Sequence, residues 1–323
     1  MNRRLTTLLA LAALAACSSQ EEKPAGHASA PTSHTAPAAA KITGEAVTIE
    51  TARGSAQVPK NPKNIAVYDW GMMDTLNALG VAVGAGTDDI SLENIEAANQ
   101  NRVKVGTLFE PNYEALNAFK PDLIITGSHT AKAFDRLNAI APTIEMTADT
   151  HNMRINVEDR IDAFAKIFSK EQEAEALKAK INTAFDEARA AAAGKGKGLI
   201  VLTNDGKIAA FGQNSRFGWI HKDVGVPLAD ALIKENGQPA SFEYIKQINP
   251  DWLFVMDRSA AIGKGTPDNA AAKVLDNPLV NETNAWKKGQ VVYLLSSNYL
   301  AAGGAQQLID ATAQVRNAFK ATK

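Results

Sequence analysis

One cysteine, five histidines and a near-zero net charge set the first limits on this 323-residue sequence. A single thiol excludes a disulfide framework and a zinc site made only of thiolates. The 34 Lys and Arg against 35 Asp and Glu leave a net charge of −1, which argues against a chain that binds nucleic acid by bulk charge. Beyond the N-terminal segment no apolar run reaches the ~18 residues of a membrane-spanning helix. What remains is a globular chain with room for one large domain or two lobes.

The motifs of common enzyme classes are also missing. The sequence contains no G-x-S-x-G elbow, no G-x-x-x-x-G-K-[ST] phosphate loop and no H-E-x-x-H pair. The run Gly84-Ala85-Gly86 lacks the third glycine of a dinucleotide-binding fingerprint. We therefore expect a protein that is not an enzyme.

The N-terminus has the pattern of a bacterial lipoprotein signal. Arg3 and Arg4 precede a short apolar stretch over residues 5–13, and Leu14-Ala15-Ala16-Cys17 matches a lipobox. This pattern predicts a signal peptide over residues 1–16 and lipid attachment at Cys17. A plain secretory signal with an incidental cysteine is the alternative interpretation.

Residues 17–44 are rich in Ala, Ser, Thr and Pro and show no apolar periodicity, which predicts a flexible tether. A tether after an acylated cysteine indicates a periplasmic protein that is anchored to a membrane through Cys17. Removal of Arg3 and Arg4 with the signal would leave 32 basic and 35 acidic residues, a net charge of −3.

The body of the chain alternates short β-rich runs with helical patterns, which is typical of α/β folds. A hairpin and a first α/β lobe are predicted over residues 45–155, and a second α/β lobe over residues 195–323. Between them, residues 156–194 contain no Gly or Pro before Gly194 and keep apolar residues three or four apart. We predict two Rossmann-like lobes joined by a single helix about 50 Å long, with a ligand cleft between the lobes. The strands expected from the pattern are Asn64–Tyr68, Val81–Val83, Leu123–Thr126, Thr143–Met146, Leu199–Thr203, Ile208–Phe211, Trp252–Met256 and Val291–Leu295.

A weak internal repeat supports two lobes. Glu114 stands seven residues before Pro121-Asp122, and Glu243 stands seven residues before Pro250-Asp251. Each proline ends a short helix, because the residue before a proline is disfavoured in the α region, and an apolar strand follows. Two unrelated helix–strand units with the same helix stop would look alike, but the equal offset favours a pseudo-symmetric pair.

Several segments resemble known families. The lipobox, Pro59–Lys63, Lys120–Ile124 and the long helix resemble class III substrate-binding proteins of ABC importers. Within that class, Gly212–Gly218, Ser241–Ile245 and Phe254–Arg258 resemble the catecholate siderophore-binding lipoproteins of the CeuE and FetB type. The resemblance covers about residues 45–323.

It implies an extracytoplasmic lipoprotein that captures a ferric catecholate siderophore, such as ferric enterobactin, in a cleft between two lobes. The protein would be a monomer without a resident cofactor. It would deliver its cargo to the permease dimer of an ABC importer in the inner membrane.

By resemblance, Arg216 and Arg258 are cleft arginines and Tyr299 is the tyrosine whose phenolate reaches iron. A guanidinium suits an anionic catecholate complex, since it donates several hydrogen bonds and stacks on flat rings. An ordinary surface ion pair, with Asp257 beside Arg258, is the alternative for the arginines. A core tyrosine with a satisfied hydroxyl is the alternative for Tyr299.

The sequence departs from that family at two positions. Asn236 stands where relatives carry an iron-ligating histidine, and His129 stands where they carry a third arginine. His129 would hydrogen-bond a catecholate or supply charge once protonated, and a solvated loop histidine is the alternative. We also expect Trp70 to line the cleft.

By the same resemblance, Glu114 and Glu243 meet arginines on the two permease subunits. A capping role at a helix start is the alternative for both. Haem, a corrinoid, or zinc or manganese is the alternative cargo, and a surface adhesin or structural lipoprotein is a third class of function.

Overall fold

Two five-stranded sheets and a separate hairpin form the framework of the computed structural model, which describes residues 42, 44–234, 237–267 and 270–322. Both sheets belong to one compact unit, Pro37–Lys323. In the described ranges, no helix is both long and apolar enough to cross a membrane. The predicted signal peptide, Cys17 and most of the predicted tether lie outside the described residues, as does Asn236.

The N-terminal sheet has the order β5-β4-β3-β6-β7 with every pair parallel. The C-terminal sheet has the order β10-β9-β8-β11-β12, in which β8, β11 and β12 run parallel while β9 and β10 are antiparallel. The antiparallel hairpin β1–β2 lies before them. In chain order the strands are β1 Ala46–Thr51, β2 Gly54–Pro59, β3 Ile65–Val67, β4 Ala85–Gly86, β5 Val103–Lys104, β6 Leu123–Thr126, β7 Thr143–Glu145, β8 Gly198–Asn204, β9 Lys207–Phe211, β10 Gln238–Ala240, β11 Trp252–Asp257 and β12 Val291–Tyr293.

Helices connect the strands and cover both sheets. Two single turns of 3₁₀ helix lie at Ala131–Ala133 and Thr150–Asn152. The α-helices are α1 Trp70–Ala78, α2 Glu93–Ala98, α3 Tyr113–Phe119, α4 Phe134–Asn138, α5 Met153–Phe168, α6 Glu171–Ala192, α7 Trp219–Lys222, α8 Phe242–Ile248, α9 Arg258–Ala261, α10 Ala271–Leu275, α11 Pro278–Asn281, α12 Asn284–Lys287, α13 Ser297–Leu300 and α14 Ala305–Ala321.

The α/β class with two sheet-centred lobes is therefore confirmed, and most predicted strands are present. The strand expected at Val81–Val83 is wrong, because the pairing residues are Ala85 and Gly86. An added Cβ on Gly86 would lie 2.4 Å from the Met73 methyl and 3.2 Å from Arg102 Cδ. The strand β4 therefore forms at Ala85–Gly86, where the absence of a side chain on Gly86 leaves room for Met73 and Arg102, and not at the β-branched residues Val81 and Val83.

The connection between the lobes differs from the single helix that we predicted. It consists of α5 and α6, separated at Ser169, whose φ of 53° is left-handed and ends α5. The Asn61 N–H donates to Ile167 O at 2.7 Å, and the Asn61 side-chain amide donates to Ser169 Oγ at 3.0 Å. These contacts satisfy groups at the C-terminal end of α5, so the helix ends there without Gly or Pro.

The internal repeat corresponds to equivalent local structure in the two lobes. The helices α3 and α8 both end at a left-handed residue, Lys120 with φ 54° and Asn249 with φ 47°. Asp122 Oδ2 then accepts the N–H groups of residues 63 and 64 just before β3, and Asp251 Oδ2 accepts the N–H of Lys197 just before β8. An equivalently placed carboxylate, Asp122 in one lobe and Asp251 in the other, thus links the helix–strand unit to the segment before the central strand by hydrogen bonds.

The largest core cluster joins the two lobes. It contains buried side chains of α1, α5, α6 and α14 together with one face of each sheet, and α14 packs along α6 and against α1. Smaller clusters bury the opposite faces of the two sheets. Because both sheets pack against this shared core, their positions are fixed by the same set of helices.

Candidate functional site

A cleft with a volume of about 330 Å³ opens beside the carboxyl ends of the parallel strands β3, β6, β7 and β12. Ligands of open α/β sheets bind at such edges. Its walls come from segments that follow β3, β6 and β7 in one lobe and β9 and β12 in the other, with one residue from α5 between them. The lining residues are Asp69, Met72, Ser128, His129, Met146, Thr147, Ala148, Thr150, Arg160, Phe211, Ser215, Arg216, Tyr299, Leu300 and Ala302. The predicted cleft between the lobes is present.

Tyr299, on α13, lies between two predicted arginines. The Arg216 guanidinium is 4.6 Å from the Tyr299 ring centroid, and the Arg258 guanidinium is 5.6 Å from it. Arg216 Nη2 donates to the Tyr299 carbonyl at 3.1 Å, and Arg258 Nε donates to the Tyr299 hydroxyl at 2.7 Å. The structure therefore brings together the three residues that the sequence analysis singled out, and it directs two positive charges at one aromatic ring.

A tightly wound loop between β9 and α7 holds Arg216. Ser215 Oγ donates to the Gly212 carbonyl at 2.7 Å, and the Gly218 N–H donates to the Ser215 carbonyl at 2.8 Å. A Cβ on Gly218 would lie 1.9 Å from Gln213 O, so glycine is required for this turn. Burial lowers the pKa of the Arg216 guanidinium, and Nε of Arg216 has no hydrogen-bond partner among the described residues.

Arg258 begins α9 directly after β11. The alternative of an ion pair with Asp257 does not describe its contacts. The Asp257 carboxylate accepts the N–H groups of Ala260 at 2.9 Å and Ala271 at 2.8 Å. Arg258 donates instead to Tyr299 and, through Nη1, to Asn204 Oδ1 at 2.9 Å. Helix capping by Asp257 thus leaves the Arg258 guanidinium free to face the tyrosine.

His129 lines the opposite wall, just after β6, and its side chain is exposed. Its ring makes an edge contact with the exposed Phe109 at 5.1 Å between centroids. The expectation that Trp70 lines the cleft is wrong. The Trp70 side chain is 6% exposed, and its indole N–H donates to Thr87 Oγ1 at 2.9 Å in the core below α1.

Two further charged residues, Arg160 and Asp69, line the cleft and were not predicted from the sequence. Arg160 lies on α5 and is 3% exposed, and burial lowers its pKa to about 10, so it stays cationic at neutral pH. Asp69 caps α1 by accepting the Met72 N–H at 3.0 Å, and desolvation raises its pKa. One sequence signal points to Arg160, because it is spaced three from Val157 and four from Phe164 on the buried face of the helix.

The predicted docking residues are exposed and occupy equivalent positions. Glu114 and Glu243 are the second residues of α3 and α8, whose N-caps Asn112 and Ser241 accept N–H groups of the first turn. Glu243 hydrogen-bonds its own N–H and Ser241, and these contacts lower its pKa. Neither glutamate lines the cleft.

The site is suited to an anion with flat rings. Guanidinium groups offer planar sets of donors and stack on aromatic faces, and in a half-buried cleft these contacts are poorly screened by salt. Across residues 44–234, 237–267 and 270–322, no three His, Cys, Asp or Glu side chains converge in a way that would hold a metal ion. The grouped positive charge itself opposes binding of a bare divalent cation.

A family model described as periplasmic binding protein matches residues 65–297 of this chain. The petrobactin-binding protein YclQ of Bacillus subtilis is 34% identical over 275 residues, which cover 83% of this chain and 86% of YclQ. The ferric-anguibactin-binding protein FatB of Vibrio anguillarum is 31% identical over 258 residues, which cover 77% of this chain and 79% of FatB.

Solved structures resemble the chain over nearly the same range. The crystal structure of YclQ superposes with a TM-score of 0.81 at 33% identity and covers 86% of this chain and 99% of its own. The periplasmic catecholate-siderophore-binding protein VctP of Vibrio cholerae superposes with a TM-score of 0.76 at 29% identity and covers 86% of this chain and 100% of its own.

Proposed function

We propose, from the premise that this chain belongs to the periplasmic binding protein family, that it captures a ferric siderophore in its cleft for an ABC importer. Relatives with siderophore-binding names match most of the chain, which supports this class of cargo. Within the class we propose a catecholate siderophore. The observation that carries this choice is the pair of guanidiniums at 4.6 and 5.6 Å from the Tyr299 ring.

The chemistry of a ferric catecholate fits such a pair. Three catecholates around ferric iron leave about three negative charges on a shell of flat rings, and a guanidinium both neutralises charge and stacks on a π face. Neutral or cationic hydroxamate complexes present neither feature. Bare zinc or manganese cations are repelled by the same positive charges, and the siderophore-binding names of the relatives favour a siderophore over haem or a corrinoid.

Tyr299 supplies a phenolic oxygen at the centre of this site, and we propose that it contacts iron when the siderophore leaves a position open. The Arg258 N–H that the Tyr299 oxygen accepts at 2.7 Å suits an oxygen that carries negative charge. His129 faces the cleft from the other lobe and is a further candidate donor to the catecholate oxygens.

Two exposed glutamates are the candidate contacts for delivery of the cargo to the importer. We propose that Glu114 and Glu243 contact the two permease subunits, since a pseudo-symmetric pair of lobes matches a pair of like subunits. Lipid attachment at Cys17 and the tether over residues 17–44 would keep a monomeric receptor at the membrane that holds the importer.

The test is a panel of candidate cargoes offered to the purified protein. The panel contains a ferric tris-catecholate, a ferric tris-hydroxamate, haem, cobalamin and zinc, and binding is measured by calorimetry and by thermal shift. Direct heat measurement is preferred because Trp70, Trp219 and Trp252 are all nearly fully buried, and quenching of their emission would be indirect. A ligand at 100 times its Kd stabilises the folded state by about 2.7 kcal/mol, which raises the Tm by roughly 5–10 °C.

We expect the catecholate complex to give that shift and the other four compounds to give little. Equal binding of the hydroxamate complex would contradict the catecholate assignment but would remain consistent with a siderophore as cargo. Tight binding of haem, cobalamin or zinc alone would contradict both.

A further inference from the structure

Arg160 is a buried cation on the wall of the cleft. It projects from α5, which joins the two lobes, and its side chain is 3% exposed although it lines the opening. Nη1 donates to the Gly303 carbonyl at 3.2 Å and Nη2 donates to Asn156 Oδ1. The third donor, Nε, has no hydrogen-bond partner within the described part of the chain.

No carboxylate lies within ion-pair distance of Arg160 among the described side chains. Two other basic residues of α5 and α6 do form ion pairs: Arg154 with Glu158 at 3.1 Å, and Lys178 with Asp162 at 2.7 Å. Asp69 on the cleft wall, Asp149 and Asp159 favour the charge of Arg160 only from a distance. A buried charge with no direct counter-ion is costly, and proteins rarely keep one that has no partner.

The neighbouring loop is shaped around this side chain. Gly303 has a φ of 87°, and a Cβ added there would approach Arg160 Nη1 to 2.7 Å. Gly303 lies four residues after Tyr299, in the segment whose Leu300 and Ala302 also line the cleft. Arg160 therefore links the helix between the lobes to the loop that carries the tyrosine.

We propose that Arg160 is a specificity-determining residue of the cleft, whose buried positive charge, which has no direct counter-ion in the described chain, is balanced by the negative charge of the cargo. This inference rests on the proposed function in so far as the cargo is an anionic ferric complex. Arg160 and Arg216 line the cleft, and Arg258 contacts the lining residue Tyr299, so the three guanidiniums come from the connecting helix as well as from the C-terminal lobe. The cargo then supplies the counter-ion that the folded chain lacks, and the preference for a triply anionic complex depends on all three cations.

The test uses the full chain with Arg160→Gln and Arg160→Lys. Lys166→Gln is the matched control, because it removes one positive charge from an exposed position of the same helix. Calorimetry measures binding of a trianionic ferric tris-catecholate and of a neutral ferric tris-hydroxamate, and thermal unfolding is followed without ligand. Inorganic pyrophosphate serves as an iron-free polyanion in a further thermal-shift series.

We expect Arg160→Gln to weaken catecholate binding by about 10- to 100-fold with little change for the neutral complex. The Tm without ligand should not fall, since an uncompensated buried charge has been removed. Arg160→Lys should give an intermediate loss, and Lys166→Gln should stay within about twofold of the unmodified protein.

Unchanged catecholate affinity in Arg160→Gln would overturn the inference. So would a lower ligand-free Tm together with equal losses for both complexes, because that pattern describes a purely structural residue. If the unmodified protein binds no ferric complex, the proposed function fails by itself. In that case Arg160-dependent stabilisation by pyrophosphate would still support the anion site, and its absence would refute it.

Discussion

Removing one guanidinium from the Tyr299 pair is the most direct perturbation of the proposed site. The variants Arg216→Gln and Arg258→Gln keep a polar side chain and delete the charge. Arg258 loses its contact with the Tyr299 hydroxyl at 2.7 Å, and Arg216 loses its stack at 4.6 Å from the ring. Both variants should bind a ferric tris-catecholate more weakly.

The magnitude follows from the kind of contact that is lost. A hydrogen bond to a charged group contributes about 1.5–3 kcal/mol, so each variant should raise the Kd by about 10- to 150-fold. Both arginines contact Tyr299, and the proximity of Arg258 helps to lower the pKa of Arg216. The double variant should therefore depart from additivity by about 0.5 kcal/mol or more.

Calorimetry at two salt concentrations measures these losses. The loss of affinity in each variant should be nearly the same at low and at physiological salt, because salt screens half-buried charges much less than exposed ones. Arg136→Gln is the matched control, because the Arg136 guanidinium also stacks on a tyrosine, 3.6 Å from the Tyr113 ring centroid, and does not line the cleft. Unchanged affinity in both Arg216→Gln and Arg258→Gln, or an equal loss for a neutral hydroxamate complex, would refute the reasoning.

The fold was largely predictable because its local signals agree with one another. Turn residues, apolar runs and helix stops predicted the N-terminal hairpin, and they predicted β6, β8 and β11 close to their observed bounds. The repeat around Pro121 and Pro250 predicted the equivalence of the lobes, since a left-handed helix end followed by Pro-Asp is a local feature.

The features that were missed depend on contacts distant in sequence. Nothing near Ser169 indicates a helix end, because the group that satisfies the end of α5 is Asn61, 108 residues away. The two-residue strand at Ala85–Gly86 is likewise selected by Met73 and Arg102 packing against it. Local propensity is overridden in both places by tertiary packing.

The site was predicted through resemblance more than through pattern. Arg216, Tyr299 and His129 do line the cleft, but no periodicity distinguishes them from surface residues. Trp70 was misassigned because its neighbour Asp69 does reach the cleft, whereas adjacent side chains on a helix point in different directions. Arg160 was overlooked because arginine on a helix is usually solvated, and only its position within the apolar stripe indicated otherwise.

Three further predictions test delivery, iron coordination and the contact between α1 and α14. Charge reversal at both Glu114 and Glu243 should abolish iron uptake by cells while calorimetry finds unchanged cargo affinity, and weaker binding by the purified double variant would contradict a docking role. Tyr299→Phe should weaken a tetradentate ferric catecholate selectively, because a hexadentate ligand leaves iron no open position, whereas equal losses for both would contradict iron contact. Asp74 accepts the Gln307 N–H at 3.0 Å at the start of α14, and burial raises its pKa to about 6. The folded state then holds a proton that the unfolded state has lost, so this group makes the protein less stable as pH rises from about 4 to about 6. The decline between pH 4 and pH 7 that this carboxyl causes is about 2–3 kcal/mol, and Asp74→Asn should abolish it. The measurement is urea unfolding of the variant and of the unmodified protein at the two pH values. An equal difference at the two pH values would show that the Asp74 carboxyl does not titrate in this range.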